Sequence, residues 1–261
     1  MEVVYLKDFD NNKMYINRKY KGKYEDKKYE IAYFDDIKVH YIKDNDKVRL
    51  DVGEPDFEVL YSNKWLSTHP NGLLGVAYPL GIRVETLGSY AVDEHRRYYT
   101  AWHIGMIYLT TKYMIPNVPM RLYHKLVRFK PSLYTPPAWL RKRNLYQLDY
   151  DTIEIIPSTY NSLLTTPPGK LLGVVSMSIP VGDEVLTGCS KIPGVRVRRD
   201  ARIETIGYST GETFGEVVSA HAESLVKLGE DLFILNKNLF TVTNETIPGD
   251  SGGGCYLIGT G

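Results

Sequence analysis

The run Pro248-Gly249-Asp250-Ser251-Gly252-Gly253-Gly254 sets a serine between an acidic residue and a stretch of glycines. A serine hydroxyl attacks a carbonyl carbon only when a base removes its proton. The oxyanion formed by that attack needs fixed N–H donors, and glycine lets the main chain approach closely enough to supply them. These residue types in this order point to acyl transfer through Ser251. Such chemistry calls for an imidazole to carry the proton and a carboxylate to orient the imidazole. It calls for no metal and no organic cofactor. Two cysteines and scattered histidines show no metal-ligand spacing.

The string Gly249-Asp250-Ser251-Gly252-Gly253 resembles the Gly-Asp-Ser-Gly-Gly signature of chymotrypsin-like (trypsin-like, PA clan) serine proteases. That resemblance implies a histidine and then an aspartate upstream of the serine. Thr100-Ala101-Trp102-His103 is similar to the family's Thr-Ala-x-His motif, and a hairpin feeds into it. The hairpin's β-prone arms are Gly88–Val92 and Arg97–Ala101, with Asp93-Glu94-His95-Arg96 as the polar turn. His40, His69, His95, His124 and His221 lack that frame. For the acid, Asp151 opens the apolar run Thr152-Ile153-Glu154-Ile155-Ile156, 48 residues after His103 and 100 before Ser251. Asp149 is the alternative, on the same face if a strand continues through both. The resemblance implies that His103, Asp151 and Ser251 are catalytic, with the amides of Gly249 and Ser251 as the oxyanion hole. Glu245 and Thr246 are the implied substrate-binding pair. Glu245 would favour a Lys or Arg side chain, whereas Thr246 resembles the hydroxyl of glutamate-preferring relatives.

A further landmark spans Gly207 to Ser219. Gly207, Thr210, Gly211 and Gly215 match the Gly-x-x-Thr-Gly-x-x-x-Gly hairpin in the second barrel of bacterial and viral chymotrypsin-like proteases. In digestive relatives a newly cut N-terminus pairs with the aspartate before the serine. No such cut site is visible here, so Asp250 must find another partner.

The elements that would position these residues read as all-β. Long helical periodicity is absent, and short β-prone runs alternate with Gly, Pro, Asn and Asp clusters. The expected architecture is two antiparallel six-stranded β-barrels of chymotrypsin-like type. Residues 1–68 form a small β-rich N-terminal extension, 69–156 the first barrel, 157–169 the interbarrel linker and 170–261 the second barrel. Within the extension, Tyr29–Phe34, Lys38–Ile42, Lys47–Val52 and Phe57–Tyr61 read as strands. Only Gly252 to Gly261 follow Ser251. Since several strands follow the nucleophile in the family, the second barrel is expected to be incomplete, with an exposed sheet edge near its C-terminus. The chain is then a piece of a longer product such as a polyprotein.

The formal net charge is +1, which gives no global field toward nucleic acid or a membrane surface. Between His95 and Leu148, however, ten Lys and Arg residues occur without one Asp or Glu. That span is a candidate patch for RNA, acidic lipid headgroups or an acidic peptide, set against a plain solvated basic face. Two cysteines are too few for a disulfide-stapled secreted protease, which favours a reducing compartment. No apolar run approaches the roughly 18 residues of a membrane span, and no signal peptide opens the chain. Together with the resemblance, these features imply an intracellular viral polyprotein protease of sobemovirus-like or astrovirus-like type, in host cytoplasm. Its partner would be a polypeptide substrate. The competing expectation is a catalytically inactive protease-fold module that binds RNA or a protein through its basic surface.

Overall fold

The computed structural model describes residues 1–36, 40–44, 47–51, 73–77, 84–103, 127–129, 145–157, 167–207, 210–227 and 233–259. They are mostly β-strand, and the strands form one large sheet and three smaller ones. The strands are β1 (Glu2–Asp8), β2 (Lys13–Asn17), β3 (Glu30–Phe34), β4 (His40–Asp44), β5 (Lys47–Asp51), β6 (Leu73–Ala77), β7 (Val84–Ser89), β8 (Ala91–Val92) and β9 (Tyr98–Thr100). They continue with β10 (Val127–Phe129), β11 (Leu145–Leu148), β12 (Ile153–Pro157), β13 (Lys170–Val181), β14 (Glu184–Lys191), β15 (Arg202–Gly207), β16 (Gly211–Lys227), β17 (Phe233–Val242) and β18 (Gly254–Leu257). The expected strand Phe57–Tyr61 and most of the basic span lie outside the described residues.

Six strands of the large sheet close on themselves. β13 pairs with β14, β14 with β17, β17 with β16, β16 with β15, β15 with β18, and β18 returns to β13, every pair antiparallel. Each strand of the ring sends an apolar side chain into a common interior: Leu172 and Val175, Cys189, Ile203, Val217, Phe240 and Val242, and Cys255. Phe240 is completely buried there. Truncating such a side chain to alanine costs about 3–5 kcal/mol. The ring can bend shut because β16 shifts register three times between Val217 and Ser224. Such bulges increase local twist and let one strand serve two neighbours.

This closure corrects the expectation of an incomplete second barrel with an open C-terminal edge. β18 is paired on both sides. The expectation counted strands by their order after Ser251, whereas a ring is completed by adjacency in space. The β15–β16 hairpin precedes Ser251 in the chain, yet it fills the slot between β17 and β18. Without that hairpin, β13, β14, β17 and β18 form a Greek key, with the last strand lying beside the first.

β13 explains its own sequence. Its apolar run from Leu171 to Ile179 is buried almost without interruption, as expected of a strand covered on both faces. Leu172 and Val175 point into the ring. Leu171, Val174, Met177 and Ile179 point outward, into a cluster with Tyr90, Val92, Tyr98 and Trp102. Those aromatic partners belong to or adjoin a four-stranded antiparallel sheet of order β10-β12-β9-β8. Tyr256 of β18 ties the two units together, its hydroxyl donating to Val92 O at 2.8 Å and accepting from Val92 N at 3.0 Å.

The N-terminal strands join the large sheet. β1 pairs with β16 and β2 with β1, while β3 lies parallel to β2. Leu6, Tyr15 and Phe34 enter the same core cluster as β13. β11 runs parallel to β17 at the sheet's other side. β4–β5 and β6–β7 are separate antiparallel pairs.

Candidate active site

The hairpin before His103 is held by its turn. The Asp93 carboxylate accepts from the backbone N–H of His95 and of Arg97, at 2.9 and 2.8 Å, and pairs with Arg97 Nε at 2.7 Å. β8 and β9 then pair through Ala91–Tyr99 and Val92–Tyr98. After β9 the chain is helical at Trp102-His103, and His103 is only 3% exposed.

The His103 ring meets Asp151, with Nδ1 2.6 Å from Oδ2. An ionised carboxylate only accepts, so Nδ1 is the donor of this bond; in the neutral ring Nε2 then presents its lone pair. Three further contacts fix the pair. His103 N donates to Asp151 Oδ1 at 2.8 Å, Trp102 N donates to Asp151 O at 3.3 Å, and Ser176 Oγ donates to Asp151 Oδ2 at 2.7 Å. Asp151 is completely buried. Its charge is therefore matched by three donors in a fully buried site, the condition under which a buried carboxylate is tolerated.

Asp149 is placed differently. β11 ends at Leu148 and β12 begins at Ile153, so the intervening bend breaks the two-residue alternation of a strand. Asp149 is exposed, and its carbonyl accepts from Asn238 Nδ2 at 2.8 Å.

The Ser251 turn lies between the two units. Ser251 is half-buried. Its carbonyl accepts from Ser89 N at 2.7 Å, and Ser89 Oγ donates to Gly249 O at 3.0 Å. On the other side Gly252 N donates to Val175 O at 2.7 Å, and Val175 N donates to Gly253 O at 2.8 Å. Gly252 is wedged against the strand that leads to His103. A Cβ there would sit 2.2 Å from Ser89 O, 2.3 Å from Thr100 Oγ1 and 3.1 Å from Ala101 N, and its φ is +89°. Ser251 is thus held beside Thr100-Ala101, just before His103, and beside Val175, the neighbour of Ser176. Gly249 also has left-handed backbone, with φ of +102°.

Asp250 points away from solvent, completely buried. Its carboxylate accepts from Thr210 N at 3.1 Å, Thr210 Oγ1 at 2.8 Å and Ile247 N at 3.0 Å. The Gly-x-x-Thr-Gly turn therefore supplies the partner that the sequence left open. Glu245 is exposed, and its carbonyl accepts from Thr213 Oγ1 at 3.1 Å. Thr246 is buried, its hydroxyl 2.7 Å from Ser178 Oγ and 2.6 Å from Thr187 Oγ1. Thr187 spends its one proton on Asn244 O at 2.7 Å. It must then accept from Thr246, which accepts from Ser178 in turn.

Sequence reasoning missed Ser176. It sits inside an apolar strand, where a completely buried serine is the only signal that something polar faces it. Cys189 and Cys255 are free, buried thiols with Sγ atoms 2.7 Å apart. Burial and the contact with Cys189 hold the Cys255 thiol well above the ordinary range. A thiol held protonated in this way is a poor nucleophile. Among the described residues no helix is long and apolar enough to cross a membrane. No protein-family model matches this chain, and no curated protein sequence matches it.

Proposed function

We propose that the chain is a serine endopeptidase in which Ser251, His103 and Asp151 act together. The observation that carries the proposal is the buried His103–Asp151 pair, Nδ1 2.6 Å from Oδ2, with the Ser251 turn packed against the strand that leads to His103. In this reading Nε2 takes the Ser251 proton as Oγ attacks the scissile carbonyl, forming the C–O bond. It returns that proton to the leaving amine when the C–N bond breaks. Water then repeats the sequence on the acyl-enzyme. Asp151 holds the tautomer and offsets the imidazolium charge. The amides of Gly249 and Ser251 bind the oxyanion.

The reading carries with it a two-barrel, chymotrypsin-like arrangement. The six-strand ring would be the second barrel, and the β8–β9–β12–β10 sheet part of the first. It extends to a polypeptide substrate, with a viral polyprotein as the class implied by the resemblance of the motifs. Glu245, exposed six residues before Ser251, is the proposed contact for a basic side chain. Thr246 would act from behind it by fixing the segment.

A fluorophosphonate probe tests the proposal on the full chain. Covalent labelling at Ser251 is expected, and Ser251→Ala or His103→Ala should lower labelling and peptide hydrolysis by about 10⁴-fold or more. A folded chain that takes no label would overturn it. Salt-sensitive RNA binding by such a chain would favour the non-enzymatic alternative.

A further inference from the structure

The Asp250 carboxylate lies directly before Ser251 and out of contact with water. Two of its hydrogen bonds come from a single residue, Thr210, forty positions upstream in the turn joining β15 to β16. Another comes from Ile247 N, at the head of the Ser251 turn. The backbone of Asp250 belongs to that turn as well. Its N–H donates to Ile247 O at 3.0 Å, and its carbonyl accepts from Gly253 N at 2.8 Å. The β15–β16 turn is shaped to admit the carboxylate. A Cβ on Gly207 would lie 2.3 Å from Asp250 Oδ1, and Gly211 takes φ of +74° immediately after Thr210. A hairpin that closes the ring thus grips the centre of the turn carrying the proposed nucleophile.

We infer that Thr210 is a positioning residue for the Ser251 site. By clamping Asp250 it sets the backbone of Gly249–Ser251, and with it the direction of the two amides proposed to meet the oxyanion. The inference rests on the serine endopeptidase reading for its catalytic consequence, while the clamp itself is a property of the fold. Removing the Thr210 hydroxyl leaves a buried charge short of a donor. The loss is relieved either by partial protonation or by rotation of Asp250, and rotation displaces the amides on either side of it.

The full chain is compared with Thr210→Val, which keeps the shape, and Thr210→Ser, which restores the hydroxyl. Two readouts are taken at a temperature where all three are folded by circular dichroism. The first is peptide hydrolysis and fluorophosphonate labelling. Thr210→Val is expected to lose about tenfold to a hundredfold in kcat and labelling rate, as for a hydrogen bond to a charged group, with KM little changed. Thr210→Ser should recover to within about threefold by the same measure. The second is hydrogen exchange at the amides of Asp250 and Gly253, which needs no activity. Thr210→Val should speed exchange there by about tenfold, the size expected for loss of one such bond, and leave β1–β2 unchanged. A wild-type chain that never labels refutes the endopeptidase reading, and the exchange data then decide the clamp alone. A folded Thr210→Val chain with wild-type exchange at both amides overturns the clamp. Wild-type labelling and kcat in the same variant overturn its role at Ser251.

Discussion

Ser176 Oγ donates to Asp151 Oδ2 at 2.7 Å, the same oxygen that faces His103 Nδ1. Ser176 belongs to β13 of the closed ring, whereas His103 follows β9 and Asp151 precedes β12 of the four-stranded sheet. One hydroxyl therefore ties the ring to the sheet at the proposed proton relay. Ser176→Ala removes a donor to a buried charge, a loss of about 1.5–3 kcal/mol. The expected result is a fall in kcat of about tenfold to a hundredfold, the rate equivalent of that range, with KM nearly constant. Steady-state kinetics on a peptide ester or amide checks it, and an unchanged kcat would show that Ser176 only packs.

Asp149 and Asp151 separate cleanly by substitution. Asp151→Asn keeps the volume but offers no full charge to the imidazole, and its amide can favour the wrong tautomer. A loss of about 10⁴-fold in kcat is expected from the logic of the triad. Asp149→Asn changes an exposed side chain and should stay within about twofold, since surface substitutions rarely exceed ±0.5 kcal/mol. Equal effects from both would remove Asp151 from the proposed relay.

Gly252 has no room for a side chain. In Gly252→Ala the new methyl would meet Ser89 O and Thr100 Oγ1 at less than van der Waals distance, on a backbone in the left-handed region. The strain of a non-glycine residue there is about 1–2 kcal/mol before any clash. The variant should melt at lower temperature and lose labelling at Ser251, because the turn must move away from the Thr100-Ala101 backbone. Calorimetry and probe labelling on the same sample test it. Wild-type values in both would show that the contact between turn and strand is dispensable.

Glu204, on β15 of the ring, carries a pKa raised above its ordinary value, first by burial and then by Glu212. An acid whose folded pKa exceeds its unfolded one opposes folding once pH rises past the unfolded value near 4.5. The effect is complete above the folded pKa and vanishes in more acidic solution, where both states are protonated. Glu204→Gln should therefore raise Tm at pH 7 and leave it nearly unchanged around pH 3.5, below the unfolded value. A variant less stable than wild type at pH 7 would show that the carboxylate is compensated by partners whose benefit exceeds its burial.

Local patterns made much of the strand content readable. The arms around Asp93–Arg96 alternate tightly, and Asp93 supplies a turn by capping nearby N–H groups, all within a few residues. Tyr29–Phe34 and Lys47–Val52 read as strands for the same local reason, and strands occur at Glu30–Phe34 and Lys47–Asp51. β1 and β2 escaped that reading. Lys, Asp and Asn crowd their ends, and their apolar residues gain meaning only when β16 and β3 cover them.

By itself the sequence determined which chemical groups are present and the order in which they come: a serine in a glycine-rich turn, a histidine after a hairpin, and two candidate acids. Those are properties of a few neighbouring residues. Only the tertiary structure decided which acid faces the imidazole, because the bend between Leu148 and Ile153 cancels the alternation that would have placed Asp149 and Asp151 alike. It also decided that β15–β16 closes the ring, that Thr210 meets Asp250 and that Ser176 meets Asp151. Each of those contacts joins residues 25 or more positions apart. Spacing along a chain does not encode such contacts; they follow from which strands lie side by side once the apolar faces of β13 are covered on both sides.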